Sequence, residues 1–212
     1  YACFDMQTAI GKGVCDITDN ASYNCSSLTG STAALGNASG RAAETVSDIN
    51  GTQTAYTEDC KVSAAYRGME DIWGNIWDFV DGVNIWGDGK MGGGQPYICN
   101  DYKYAEQKTD GNYQPAGFTL ANANGYISAF GYNPDYDWLF LPSETLGSRT
   151  LPVGDWIQVN QNLNGYKSLL LGGSWAGGNS VGGFFWYADS DVNDHLKTIG
   201  GRIMFIPKGV SK

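Results

Sequence analysis

The sequence predicts one mixed domain of short strands with little helix, and three observations lead there. Thirty glycines are scattered over 212 residues without a triplet period, which excludes collagen and calls for many tight turns. The apolar pieces of the second half are short, and each is bounded by Gly, Pro, Asn or Asp, as strands separated by turns are. No internal repeat and no Pro/Ser linker divides the chain. Residues 1–212 therefore read as a single domain, and at 42% hydrophobic residues they can bury a core.

Residues 1–66 are rich in small polar side chains, as in "NCSSLTGSTAALGNASGRAAET", and predict turns and irregular structure. A short helix over Ala42–Asp48 is the one helical expectation there. The run "YRGMEDIWGNIWDFVDGVNIW" then mixes helical and strand spacing, and its period does not decide between them. "GGGQPYICNDYKYAEQ" reads as a hairpin region, followed by a loop to Pro115. Strand-like pieces complete the chain: "YISAFGY", "DWLFLP", "DWIQV", "SLLLGGSW", "GGFFWYA" and "RIMFIP". Of these, "WLFLP" and "SLLLGG" read as short buried strands.

A formal charge of −9 with only 13 Lys and Arg, none clustered, argues against a nucleic-acid partner and against an anionic membrane surface. No apolar run approaches the roughly 20 residues of a membrane span. Cys3, Cys15, Cys25, Cys60 and Cys99 are odd in number and lack C-x-x-C spacing. They are read mostly as free thiols of a chain made in a reducing cytoplasm. The opening "YACFDMQTAIG" has neither an initiator Met nor a signal pattern, which predicts a chain that starts part-way through a longer polypeptide.

Two segments go further than composition. "GNIWDF" at Gly74 to Phe79, preceded by "YRGMED", resembles the G-N-[VI]-W-[ED]-[WF] signature of the C-type lectin fold branch that includes formylglycine-generating enzymes. "GGSWAGG…GGFFWYA…IGGRI.F" resembles the C-terminal variable region of proteins diversified by retroelements, especially in phages and prophages. "AALGNASGRA" and "WLFLPSE" are similar to framework segments of the same group. The resemblance implies an α+β chain with the C-type lectin fold: small twisted antiparallel sheets, few short helices and long ordered loops. It implies function by binding a protein or glycan receptor on a target cell, at a phage tail tip or a cell surface, and a homotrimer is among the assemblies it allows. The ligand-facing variable region would span about residues 175–198.

The residues of that region carry their own physics. Over Gly183–Asp189 an extended strand would place Phe184, Trp186 and Ala188 on one face and Phe185, Tyr187 and Asp189 on the other. The set ending in Asp is read as outward, where aromatics beside small polar groups suit a binding surface. In the retroelement systems, adenine randomisation concentrates in codons of the AAC type. Codons ending in C cannot encode Trp, Met, Gln, Glu or Lys, and between Ala176 and Thr198 only Trp186 and Lys197 belong to that set. Gly177, Asn179, Ser180, Phe185, Tyr187, Asp189, Ser190, Asp191, Asn193, Asp194 and His195 are the candidate ligand-binding positions. Trp73, Gly74, Trp77, Trp175, Trp186 and Arg202 are assigned to the scaffold, Arg202 as a brace to an unidentified carboxylate.

Rival chemistries are weaker. Asp189, Asp191 and Asn193 imitate the start of a calcium loop, but its sixth position is Asp194 and its twelfth Gly200, where Gly and Glu belong. No metal and no cofactor is expected. His195 is the only histidine, which leaves little for a nucleophile–base pair. No cysteine follows Cys99, so the C-terminal copper-binding pair of formylglycine-generating enzymes is missing. A non-enzymatic binding domain is the expectation, and a calcium-independent glycan lectin of fixed specificity is its nearest rival.

Overall fold

The computed structural model describes residues 72–202 except 75, 91, 100, 102–108, 175–181 and 197, together with strand segments at 40–41, 45–47, 53–55, 64–66 and 69–70. In chain order the strands are β1 (Gly40–Arg41), β2 (Thr45–Ser47), β3 (Gln53–Ala55), β4 (Ala64–Tyr66), β5 (Met69–Glu70), β6 (Trp77–Asp88), β7 (Gln95–Cys99) and β8 (Tyr113–Pro115). They continue as β9 (Gly125–Tyr126), β10 (Ala129–Phe130), β11 (Pro142–Glu144), β12 (Trp156–Val159), β13 (Asn164–Leu171), β14 (Trp186–Ser190) and β15 (Ile199–Gly200). Among the described residues the only helical element is a 3-10 turn at Pro134–Tyr136. The chain is thus sheet-rich where described, and the helices expected of an α+β chain are not found there. The expected helix over Ala42–Asp48 gives way to β2, which pairs antiparallel with β3. Its Thr45 and Val46 are β-branched, and Asn50-Gly51 lies between the two strands in sequence, a strong hairpin signal.

Eight strands form the main sheet, in the order β8-β7-β6-β13-β14-β12-β9 with β15 added beside β6. The ambiguous "WDFVDGVNIWGD" resolves as the 12-residue strand β6. Its mixed period has a structural cause. Leu169 pairs with Val80 and Ser168 with Asn84, so Asp81, Gly82 and Val83 bulge out of the ladder with β13. Gly82 takes φ +81°, which a residue with Cβ rarely adopts. β6 changes neighbours at this point: Trp77 and Asp78 pair in parallel with β15, while Val83–Trp86 pair antiparallel with β7.

One face of the sheet supplies Val83, Ile85, Ile98, Ile157, Val159, Leu169, Trp186 and Ala188 to the main core, and residues 116–141 close it with Leu120, Ile127, Tyr136 and Leu141. "SLLLGG" is a buried strand end as expected, with Leu169 and Leu170 at 0% and 1% exposure. "WLFLP" corrects the other expectation. Only Leu141 and Pro142 of it are fully buried; Trp138 and Phe140 precede β11 and are exposed.

The two family-like motifs meet at Gly172. Its carbonyl accepts from Gly74 N–H at 2.7 Å and its own N–H donates to the Phe185 carbonyl at 2.9 Å. Gly172 has φ +88°, and a Cβ there would sit 3.1 Å from Trp73 Cα. Gly165 has φ +104°, and a Cβ there would meet nothing within 4 Å. Replacing either by Ala should therefore cost about 1–3 kcal/mol of backbone strain. Gly172→Ala should lose measurably more, because crowding against Trp73 is added. Denaturant unfolding of both variants measures the difference, and equal losses would show that the Trp73 contact carries no energy.

Candidate binding surface

β14 is held on both edges. It runs antiparallel to β13 and parallel to β12, with Ile157, Gln158 and Val159 opposite Trp186, Tyr187 and Ala188. The expected alternation appears within it: Trp186 and Ala188 are 4% and 0% exposed, while Tyr187 and Asp189 on the other face are half-buried. The Trp186 ring lies 5.7 Å from Phe140, and its buried indole N–H meets no acceptor among the described residues.

Two candidate binding positions are corrected. Phe185 lies on the expected side of the chain, yet it is only 9% exposed. It forms a second apolar cluster with Trp73, flanked by Ile72, Trp77 and Trp156, and its ring centroid is 4.7 Å from that of Trp77. Alternation assigns a side; it does not say whether that side meets water. Ser190 is 0% exposed and its hydroxyl donates to Asp194 Oδ2 at 2.9 Å. It continues the inward register of Trp186 and Ala188.

The other candidates divide by their partners. Tyr187 packs its ring 5.8 Å from Trp77. Asp189 accepts from Asn160 Nδ2 at 3.0 Å and lies 3.4 Å from Lys167 Nζ, which also reaches Asp191 at 3.0 Å. Asp194 Oδ2 accepts from the Asp191 N–H at 2.8 Å and so closes the turn that follows β14. His195 places Nδ1 2.7 Å from the Asn193 carbonyl, which can only accept, so that nitrogen carries the proton. Asp191, Val192, Asn193, His195 and Leu196 are exposed. Gly177, Asn179 and Ser180, with the scaffold candidate Trp175, lie outside the described residues.

Electrostatics follow this geometry. Burial works to lower the Lys167 pKa, but the hydrogen bond to Asp191 and the charges of Asp189 and Asp191 outweigh it and the pKa is raised. The Tyr187 hydroxyl is raised by burial first, then by Asp189 and Asp194. Asp194 is lowered by the Asp191 N–H and the Ser190 hydroxyl, which both favour its ionised form. Lys167 sits among the acids that imitate a calcium loop. Among the described residues no group of His, Cys, Asp or Glu is arranged to hold a metal ion.

The scaffold candidates have identifiable work. Trp73 is buried, Gly74 donates to Gly172, and Trp77 joins Phe185 to Tyr187. The carboxylate braced by Arg202 is Asp78, at 2.9 Å from Nε. Lys167 and Asn160 had no sequence signal, because strand pairing alone brings them to Asp189. Val192 and Leu196 did have one: they satisfy the same codon rule as the residues around them. Cys99 is buried and its thiol donates to Asp101 Oδ1; the other four cysteines lie outside the described residues. No helix among the described residues is long and apolar enough to cross a membrane. Comparison with protein-family models, with curated proteins and with solved structures gave no match.

The Asp194 turn yields a pH prediction. Because its folded pKa lies below the ordinary 3.8, Asp194 stabilises the fold above that pH and loses the contribution as pH falls through the lowered value. Asp194→Ala should melt a few degrees below the parent chain at neutral pH. That gap should shrink as the pH is lowered below about 4. A gap that persists unchanged at low pH would mean that Asp194 acts by packing and not by its charge.

Proposed function

We propose that this chain is a non-enzymatic binding domain that presents a diversified surface on a rigid scaffold, and that its target is a protein or glycan receptor at a cell surface. The observation that carries the reading is the contrast within residues 184–196. The strand is fixed by a core on one face and by pairing on both edges. The half-exposed Tyr187 and Asp189 and the exposed loop Asp191–Leu196 follow directly from it. A fixed strand that ends in a locally closed, exposed loop tolerates side-chain change, since surface substitutions usually stay within about 0.5 kcal/mol.

The finer reading rests on the sequence resemblance: a C-type lectin fold, diversification by a retroelement, and host recognition at a phage tail tip. It allows a homotrimer among other assemblies and calls for neither metal nor cofactor. The nucleotide sequence tests it. A near-repeat of the region encoding Gly172–Phe205 is expected close to the gene, with mismatches at adenines and a reverse transcriptase gene nearby. A locus without them favours the calcium-independent lectin of fixed specificity.

A second test separates surface from scaffold inside one strand. Tyr187→Ser should leave folding nearly intact and weaken receptor binding, because a half-exposed aromatic is an efficient contact. Phe185→Ser should destabilise the chain by about 3–5 kcal/mol, as emptying a buried aromatic site does. Urea unfolding of the two variants measures this contrast. Equal losses would place Tyr187 in the scaffold and remove it from the binding surface.

A further inference from the structure

We infer that the loop Gly131–Leu141 is a second docking surface, separate from the β14 surface, and that it takes an arginine or lysine side chain of a partner polypeptide. The loop is closed at its neck by the Gly131 N–H donating to the Leu141 carbonyl at 2.9 Å. Asn133 fixes it further, donating from Nδ2 to the Ala116 carbonyl at 2.9 Å and capping the Asp135 N–H at 3.0 Å. The 3-10 turn at Pro134–Tyr136 is continued by the Leu139 N–H bonding to the Tyr136 carbonyl.

Three residues per turn make positions three apart eclipse one another. Tyr136 and Leu139 share the side that packs on the core, and Asp135 and Trp138 share the side turned to water. Trp138 is 53% exposed, with Phe140 at 37% and Tyr132 at 74%. A pre-shaped loop thus exposes Tyr132 and one side of Trp138, whose ring stands edge-on to Tyr136, while Phe140 leans on Phe184 and Trp186; the exposed carboxylates of Asp135 and Asp137 belong to the same loop.

Charge decides the occupant. From Thr109 to Ser148 the chain carries Asp110, Asp135, Asp137 and Glu144 and not one Lys, Arg or His. Neither Asp135 nor Asp137 has an ion-pair partner among the described residues. A cation that slides over the Trp138 face gains the attraction of the ring and of the Asp135 carboxylate on the same side, with Asp137 next to Trp138 in the chain. A neutral sugar could stack on the same ring but would gain nothing from the charge.

Hexa-L-arginine is the probe, titrated calorimetrically against the whole chain at low and at physiological salt. It should bind, and Trp138→Ala should weaken it by about two- to five-fold, the range of a cation–ring contact at an exposed site. Asp135→Asn with Asp137→Asn should weaken it similarly and reduce the salt dependence. Asp81→Asn with Asp110→Asn removes the same charge from exposed positions elsewhere and should leave binding unchanged. No binding, or equal loss in both double variants, would reduce the effect to the overall charge of −9 and overturn the inference. Maltohexaose binding that needs Trp138 while hexa-arginine binding does not would overturn it in favour of a glycan site. Trp138→Phe keeps a ring and should retain most of the affinity; a loss as large as that of Trp138→Ala would exclude the cation–ring contact.

Discussion

Gly172 is the backbone junction on which the arrangement of the sheet centre depends. Its two peptide groups are both used, one toward Gly74 and one toward Phe185. The end of β13, the approach to β6 and the start of β14 are therefore fixed at one residue. Two apolar clusters lie on opposite sides of this junction, the main core around Trp186 and the smaller one around Trp73 and Phe185. Register follows from that. A slip of one residue in β14 would turn Tyr187 and Asp189 into the main core and Trp186 and Ala188 out of it. Burying an aspartate without its partners is costly enough to exclude the slip.

Constraint relaxes along the chain beyond that point. At Phe185 and Trp186 both sides are packed; at Tyr187 and Asp189 only one is. After Ser190 the geometry is held by local hydrogen bonds: Asp194 to Ser190 and to the Asp191 backbone, and His195 to Asn193. Lys167 adds a tether from β13 through Asp189 and Asp191. The Asp191 carboxylate is 65% exposed, so its share of that tether is weak in water. A loop fixed by a few backbone-directed contacts keeps its shape while its outward side chains change.

How much of this was legible in the sequence follows from which forces are local. The inward register of Trp186 and Ala188 could be read because strand alternation is a two-residue rule. The burial of Phe185 could not, since Ile72, Trp73 and Trp77 cover it from more than a hundred positions earlier and Trp156 from another strand. Arg202 was legible as a brace, but its partner Asp78 lies 124 positions away. β6 was ambiguous because its bulge inserts residues into the ladder and breaks the period a strand should show. "WLFLP" misled for a different reason. Its composition is that of a buried strand, yet the proline at 134 and the capping Asn133 start a tight turn that carries Trp138 outward.

These constraints narrow the surface that diversification could use, under the proposed reading. Surface substitutions usually cost little, whereas emptying a buried aromatic site removes about 3–5 kcal/mol of a total that is itself only about 5–15 kcal/mol. Phe185 lies in the second class. Ser190 does as well, because a larger side chain at a site with no exposure must displace its neighbours. Among the described residues, a usable variable set is therefore centred on Tyr187, Asp189, Asp191, Asn193 and His195, with Val192 and Leu196 beside them. Asp194 stands between the classes: its side chain is reachable by a ligand, but its carboxylate closes the turn that presents the others. Changing it would alter the shape of the surface as well as its chemistry, so selection for new targets would meet a fold constraint at that one loop position.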